Sequence, residues 1–254
     1  MVTKTVTAIL VVTISAALCG DCVGAIAQVQ TPATKDTGST NNDTLAYTSN
    51  VTAGSVLIAA GRVGGGAATP HTVTCSDSLN GSWTVISFSN AKRSDLGEVI
   101  MCYFINSAAG ANTVTISWTE AATSFRWGVH EYRDAANSNY SVDQTNSANG
   151  ASGSPSGYAV TTTANAELIL AVTGNNVGGG FTITAASGYT LRTEIPASAS
   201  ARAATEEQIG NINTYNADFT YADTTSAWVA AVATFKPNVA GGGSGGPIML
   251  IGGP

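Results

Sequence analysis

The sequence predicts an all-β fold, a single antiparallel β-sandwich of jelly-roll-like form built from two pseudo-repeated halves. Three observations predict it. Thr52-Ala53-Gly54-Ser55-Val56-Leu57-Ile58-Ala59-Ala60 returns about 111 residues later as Thr163-Ala164-Asn165-Ala166-Glu167-Leu168-Ile169-Leu170-Ala171, with Thr, Ala, Leu, Ile and the last Ala in place. Each copy soon meets three glycines, Gly64-Gly65-Gly66 and Gly178-Gly179-Gly180, and each half ends on an aromatic strand, 125–132 and 228–235. A repeat this long exceeds a solenoid unit and suits paired halves of one sandwich. Second, short runs alternate apolar and polar residues between Gly, Asn and Ser punctuation, the two-residue period of strands with one covered face. Third, no window holds a 3.6-residue period for three turns, so an α-rich fold is not expected.

Taken in order, Lys4, the apolar run 8–18 and Ala25-Ile26-Ala27 have the sequence of parts of a secretory signal peptide, 1–27. The run is shorter than the about 20 apolar residues that span a bilayer. The mature chain is therefore expected to be extracellular, with no transmembrane anchor. Residues 28–42, rich in Thr, Ser and Asp around Pro32, read as a flexible lead-in, and the sandwich is expected over 43–237. Residues 51–61 form an apolar run of buried-strand length, and 72–77 alternates Val73 and Cys75 against Thr72 and Thr74. Leu79-Asn80-Gly81 turns the chain, because Asn and Gly tolerate positive φ, and Trp83, Val85 and Ile86 continue the return strand.

The run 98–106 is apolar at nearly every position, and Gly110 then turns the chain into 113–118, where Val114, Ile116 and Trp118 share a face. After the strand 125–132 comes 134–157, dense in Asn, Ser and Gly, which reads as the longest loop. In the second half, 167–174 is a buried strand, 181–185 leads to a hairpin around Ser187-Gly188, and 189–195 returns. Residues 203–210 suit a strand or a short helix, with sheet context favouring strand; 217–221 and 228–235 complete the set. The tail 238–254 is Gly-rich with an apolar end, Ile248-Met249-Leu250-Ile251. That end suits self-association through 247–254 or docking on a free sheet edge; an unstructured terminus with a chance apolar patch is the plainer reading.

Composition narrows the function classes. Only 10% of residues are charged, and 44% are hydrophobic. This excludes a disordered chain, which lacks the apolar surface to bury. Net charge is −6 with no cluster of Lys or Arg, so nucleic acid, whose phosphates need a basic face, is not an expected partner. Outside the leader the cysteines are Cys75 and Cys102. Both a disulfide, favoured by an oxidising compartment, and two buried thiols are compatible with their places in strands.

The search for chemistry assigns no catalytic residue. His71 and His130 are the only histidines, and no Gly-x-Ser-x-Gly elbow accompanies them. A glycosidase needs two carboxylates across a cleft; Glu131 in its aromatic strand is one candidate, with Glu98 or Glu167 opposite. Sugar-binding modules stack rings on exposed aromatics and satisfy hydroxyls with amides. Tyr140 and Tyr158 are the candidates of most interest, since they punctuate a polar loop, with Asn139 and Glu131 beside them as ligand-binding residues. Asp134, Asn137, Asn139 and Asp143 cluster with oxygen ligands that could hold Ca2+, the one cofactor considered. Turns are the commoner use of such residues.

Four segments then carry a resemblance: Asp77-Ser78-Leu79-Asn80-Gly81-Ser82-Trp83, Ala108-Ala109-Gly110-Ala111-Asn112-Thr113-Val114-Thr115-Ile116, Glu131-Tyr132, and Thr161-Thr162-Thr163-Ala164-Asn165-Ala166-Glu167-Leu168. Over about 51–235 the chain resembles a family of secreted bacterial β-sandwich domains of surface and extracellular proteins. The resemblance implies an extracellular jelly-roll-like sandwich and, by association, contact with a glycan or another cell-surface component. The expectation is thus a secreted, non-enzymatic recognition or adhesion module, carbohydrate being the candidate ligand. A self-assembling structural subunit and a glycan-cleaving enzyme are the alternatives.

Overall fold

A computed structural model describes residues 26–38, 40–64, 71–122, 124–134, 139–175, 182–196, 202–223 and 225–238, those at 120–122 by backbone alone. The strands of the first half are β1 (Ala27–Gln28), β2 (Ala33–Thr37), β3 (Thr40–Ala46), β4 (Val56–Gly64), β5 (Val73–Asp77), β6 (Gly81–Ser82), β7 (Thr84–Val85), β8 (Lys92–Arg93), β9 (Gly97–Phe104), β10 (Thr113–Ala122) and β11 (Ser124–Arg133). Those of the second half are β12 (Tyr140–Ala151), β13 (Val160–Thr161), β14 (Glu167–Asn175), β15 (Ile183–Thr184), β16 (Thr190–Ile195), β17 (Ala203–Gly210), β18 (Thr214–Tyr215), β19 (Thr220–Tyr221) and β20 (Ala227–Pro237). All pairing is antiparallel, and the fold is the expected all-β sandwich.

The sheets stack in four layers. β3-β10-β5-β6 is the outer sheet of the first half, and β11-β4-β9-β7, flanked by β1, β2 and β8, is its inner sheet. The second half repeats the inner sheet as β12-β20-β14-β17-β16 and covers it with two small ladders, β13-β18 and β15-β19. The inner orders match strand for strand, β2, β11, β4, β9, β7 against β12, β20, β14, β17, β16, so the sequence repeat is a structural one. The two inner sheets pack on each other, which explains why their central strands are apolar at almost every position: both faces are covered. On β4, Val56, Ile58 and Ala60 join Leu168, Leu170 and Val172 of β14 in the core between the halves, while Leu57, Ala59 and Val63 point into the first half's own core. On β14, Ile169 and Ala171 turn the other way, toward Tyr158, Phe219 and Tyr221. Fully burying one such Leu or Ile contributes about 1.5–3 kcal/mol.

Close approach of the halves needs small residues at their seam. Arg62 of β4 lies across Gly174 of β14, where an added Cβ would sit 2.6 Å from its Cδ. Within the first half, Cys75 of β5 and Cys102 of β9 form a disulfide with Cα atoms 6.4 Å apart, which joins outer and inner sheet. It closes a loop of sequence separation 27, worth about 3–4 kcal/mol by restricting the unfolded chain.

Several expectations are corrected. Within the lead-in 28–42, β2 pairs with β11, and β3, which begins at Thr40, pairs with β10. The supposed loop 134–157 contains β12, which pairs with β20 along almost its whole length. β2, β3 and β12 are edge strands with a face toward solvent, where Thr, Asn and Ser serve as well as apolar residues. The return strand after Asn80-Gly81 changes sheets at Trp83: β6 pairs with β5 in the outer sheet, β7 with β9 in the inner one. The turn itself is as expected, with Gly81 at φ 87° and Asp77 Oδ1 accepting the amides of Leu79 and Gly81 at 3.0 and 3.1 Å. Residues 1–25 of the leader and the tail 247–254 lie outside the described residues.

Candidate functional site

The residues singled out from sequence serve mostly to hold the fold. Glu131 is fully buried; its Oε1 accepts the Thr52 amide and the Ser55 hydroxyl, each at 2.7 Å, and its Oε2 accepts Gln30. Glu167, also buried, accepts the amides of Thr163 and Ala164 at 2.9 and 2.6 Å. Glu98 lies elsewhere, bound to His71, so no two of these three acids share a cleft.

Tyr140 and Tyr158 are not loop-tip platforms. Tyr140 is 2% exposed, in the core between the halves, and its hydroxyl oxygen accepts the Asp134 amide at 2.6 Å. Tyr158 is fully buried and donates to the Ala217 carbonyl. The reason is the thin outer layer of the second half. Two-residue ladders cannot cover β14 and β20, so Tyr158, Phe219 and Tyr221 fill the gap.

Of the proposed calcium ligands, Asp143 is engaged by its neighbours in the fold. Asp143 accepts the Thr163 amide, the Thr163 hydroxyl and Lys236 at 2.9, 2.7 and 2.7 Å. Burial raises its carboxyl, but those donors outweigh it and hold the group below the usual aspartate range. Asp134 is buried at the end of β11, Asn139 is exposed, and Asn137 lies outside the described residues. Among the described residues, no three His, Cys, Asp or Glu side chains are gathered as metal ligands.

Two clefts remain. The first, of about 390 Å³, opens beside the strand that crosses between the sheets of the first half and is walled by Val85, Ile86 and Phe88. Glu98 at its edge takes both the backbone amide (3.0 Å) and Nδ1 (2.7 Å) of His71 on one carboxylate oxygen, which fixes the imidazole; both residues are buried. Lys92 faces Glu98 across the β8–β9 ladder.

The second cleft, of about 400 Å³, lies on the second half, between the turn at Ser187-Gly188, β17 and the segment 214–218. Tyr189 and Tyr215 present half-buried rings to it, and Gln208, Asn216 and Asp218 supply two amides and a carboxylate. Its shape follows from two glycines. Gly188, at φ 86°, makes the turn that carries Tyr189. Gly210 leaves room for the Tyr215 ring, whose hydroxyl oxygen would sit 2.6 Å from a Cβ there. The Tyr215 hydroxyl donates to the Asn211 carbonyl at 3.0 Å, so the ring is held in place.

Behind this cleft lies Glu206, fully buried on β17. Its carboxyl is pushed up to about 8 by burial and by the nearby charge of Asp218, against the opposing pull of the Ala186 amide it accepts at 2.7 Å. Burial raises Asp218 as well. A neutral carboxylic acid at pH 7 beside a second carboxylate can donate a hydrogen bond where an ordinary glutamate cannot.

The sequence pattern places Tyr189 at the start of a return strand and marks none of the residues that surround it in the cleft. Tyr215 and Asp218 come from a short-ladder segment with no repeat counterpart to mark it. Glu206-Glu207 did carry a signal: adjacent acids inside an apolar strand pattern in a charge-poor chain. No family model, curated protein or solved structure matches this chain.

Proposed function

We propose that this protein is an extracellular recognition module that holds carbohydrate in the Tyr189–Tyr215 cleft. One observation carries the reading: two tyrosine rings, two side-chain amides and a carboxylate line one open concavity. Pyranose rings offer C–H faces to aromatic rings and hydroxyls to amides and carboxylates, and a mostly preformed site avoids the cost of ordering flexible groups on binding. A disulfide between sheets and a leader-like N-terminus support an oxidising destination. The experiment is a glycan array followed by calorimetry. Saturable binding of a saccharide, weakened about tenfold or more by Tyr215→Ala and unchanged by Tyr140→Phe, supports the reading. Absence of any glycan ligand, or binding indifferent to both Tyr215→Ala and Tyr189→Ala, overturns it.

A second reading rests on Glu206 and Asp218. An acid kept neutral at pH 7 near a second carboxylate is how glycosidases divide acid and base roles. Glu206 lies behind the cleft rather than along its wall, which favours binding over cleavage. Release of reducing ends from a bound polysaccharide, abolished by Glu206→Gln, decides for the enzyme.

A further inference from the structure

We infer that the cleft of the first half is a second, independent binding site, and that its ligand is a small carboxylate with an apolar body. The Nζ of Lys92 is buried and has no hydrogen-bond partner among the described residues, although the residue lies cross-strand from Glu98. A desolvated ammonium without an acceptor is costly and is normally paired. Glu98 turns one oxygen, Oε1, to the two donors of His71 rather than to Lys92. The ammonium is thus left without its cross-strand acceptor, and a ligand in the cleft can supply one.

The cleft's composition says what kind of acceptor. Val85, Ile86 and Phe88 give it apolar walls, and Ser87 and Ser89 line it along with Lys92. A carboxylate accepts from an ammonium and from hydroxyls together, with charge-assisted bonds stronger than neutral ones. The volume of about 390 Å³ is at the lower end for small-molecule pockets, enough for a short aliphatic or aryl-alkyl chain behind the head group. Lys92 and the aliphatic wall set this cleft apart from the Tyr189–Tyr215 one, whose lining holds no lysine or arginine. The two clefts therefore differ in ligand chemistry, and this inference does not rest on the carbohydrate reading.

The test is calorimetric titration of the full chain with hexanoate and phenylacetate, against hexanol and 2-phenylethanol as neutral counterparts. Saturable binding of a carboxylate is expected, about tenfold or more tighter than its alcohol and weakened to a similar degree in Lys92→Met. Tyr215→Ala, in the other cleft, should leave it unchanged. Lys92→Met removes only an unpaired ammonium and should melt no earlier than wild type, so lost binding cannot be ascribed to unfolding. No saturable carboxylate binding, equal binding of acid and alcohol, or full binding by Lys92→Met each overturns the inference.

Discussion

Ser55 and Glu131 are joined by a 2.7 Å hydrogen bond that ties the turn before β4 to the C-terminal end of β11. With the Thr52 amide on the same oxygen and Gln30 on the other, the carboxylate is fully committed inside the first half. Glu131 thus resembles a catalytic acid in sequence and acts as a turn anchor in the fold. In the second half Glu167 anchors the corresponding turn from within its own strand.

Glu131→Gln should therefore lower stability and leave ligand binding intact. The amide can still accept on one side but turns an N–H₂ toward a donor on the other. Leaving buried donors unsatisfied costs about 1–3 kcal/mol. Urea titration followed by tryptophan fluorescence measures this. Unchanged stability would mean that the turn does not depend on the carboxylate.

The dependence of stability on pH should be a broad dome, set by two buried groups of opposite kind. Burial, with the nearby charge of Arg192, lowers His130 from 6.5 to about 3, so the native ring stays neutral where the unfolded one protonates. Stability is then lost as pH falls from about 6.5 toward 3. Glu206 is raised from 4.5 to about 8, so the native carboxyl keeps a proton that the unfolded one releases. Its contribution is lost as pH rises from 4.5 toward 8. Between 4.5 and 6.5 the two slopes oppose and stability is flattest. Glu206→Gln mimics the neutral acid and should remove the alkaline fall, raising the urea midpoint at pH 8 above wild type. An unaltered alkaline limb in that variant would exclude Glu206 as its cause.

Much of the fold was legible in the sequence because the strong signals there are those of covered strands. The repeat, the apolar runs of β4, β9 and β14, and the Asn80-Gly81 turn all reflect burial or φ constraints that leave little choice of residue. What escaped was governed by partners distant in sequence. β12 has an edge strand's polar composition, and only its pairing with β20 makes it a strand. Tyr158 lies in a polar segment, yet it is buried because the layer above β14 is thin. His71 reads as an isolated loop histidine until β9 brings Glu98 to it. The Tyr189–Tyr215 cleft collects residues from three separate segments, a convergence without any local pattern.

Removing the disulfide should be felt as a loss of inter-sheet constraint. Cys75→Ala with Cys102→Ala deletes a tie of sequence separation 27 and should cost about 3–4 kcal/mol, with full reduction of the wild type producing a similar shift. Both sulfurs sit in the core of the first half, so mild reductant should act slowly on the native state. Calorimetry with and without reductant measures the loss. Equal melting of oxidised protein and double variant would refute a stabilising bridge.

Ile26 is 2% exposed and packs in the core between the halves, and Ala27 and Gln28 pair with Arg133 and Tyr132 of β11. Leader removal after Ala27 would discard a core residue and half of β1. Val23-Gly24-Ala25 also offers small or compact residues at the positions a signal peptidase reads, and cutting there keeps Ile26. If the chain is exported as proposed, the mature protein should begin at Ile26 or upstream, with intact mass and N-terminal sequencing as the measurement. Ile26→Ala should then cost about 2–4 kcal/mol, the range for emptying a buried aliphatic site. A mature protein that starts at Gln28 and is as stable as one retaining Ile26 would show that the core closes without it.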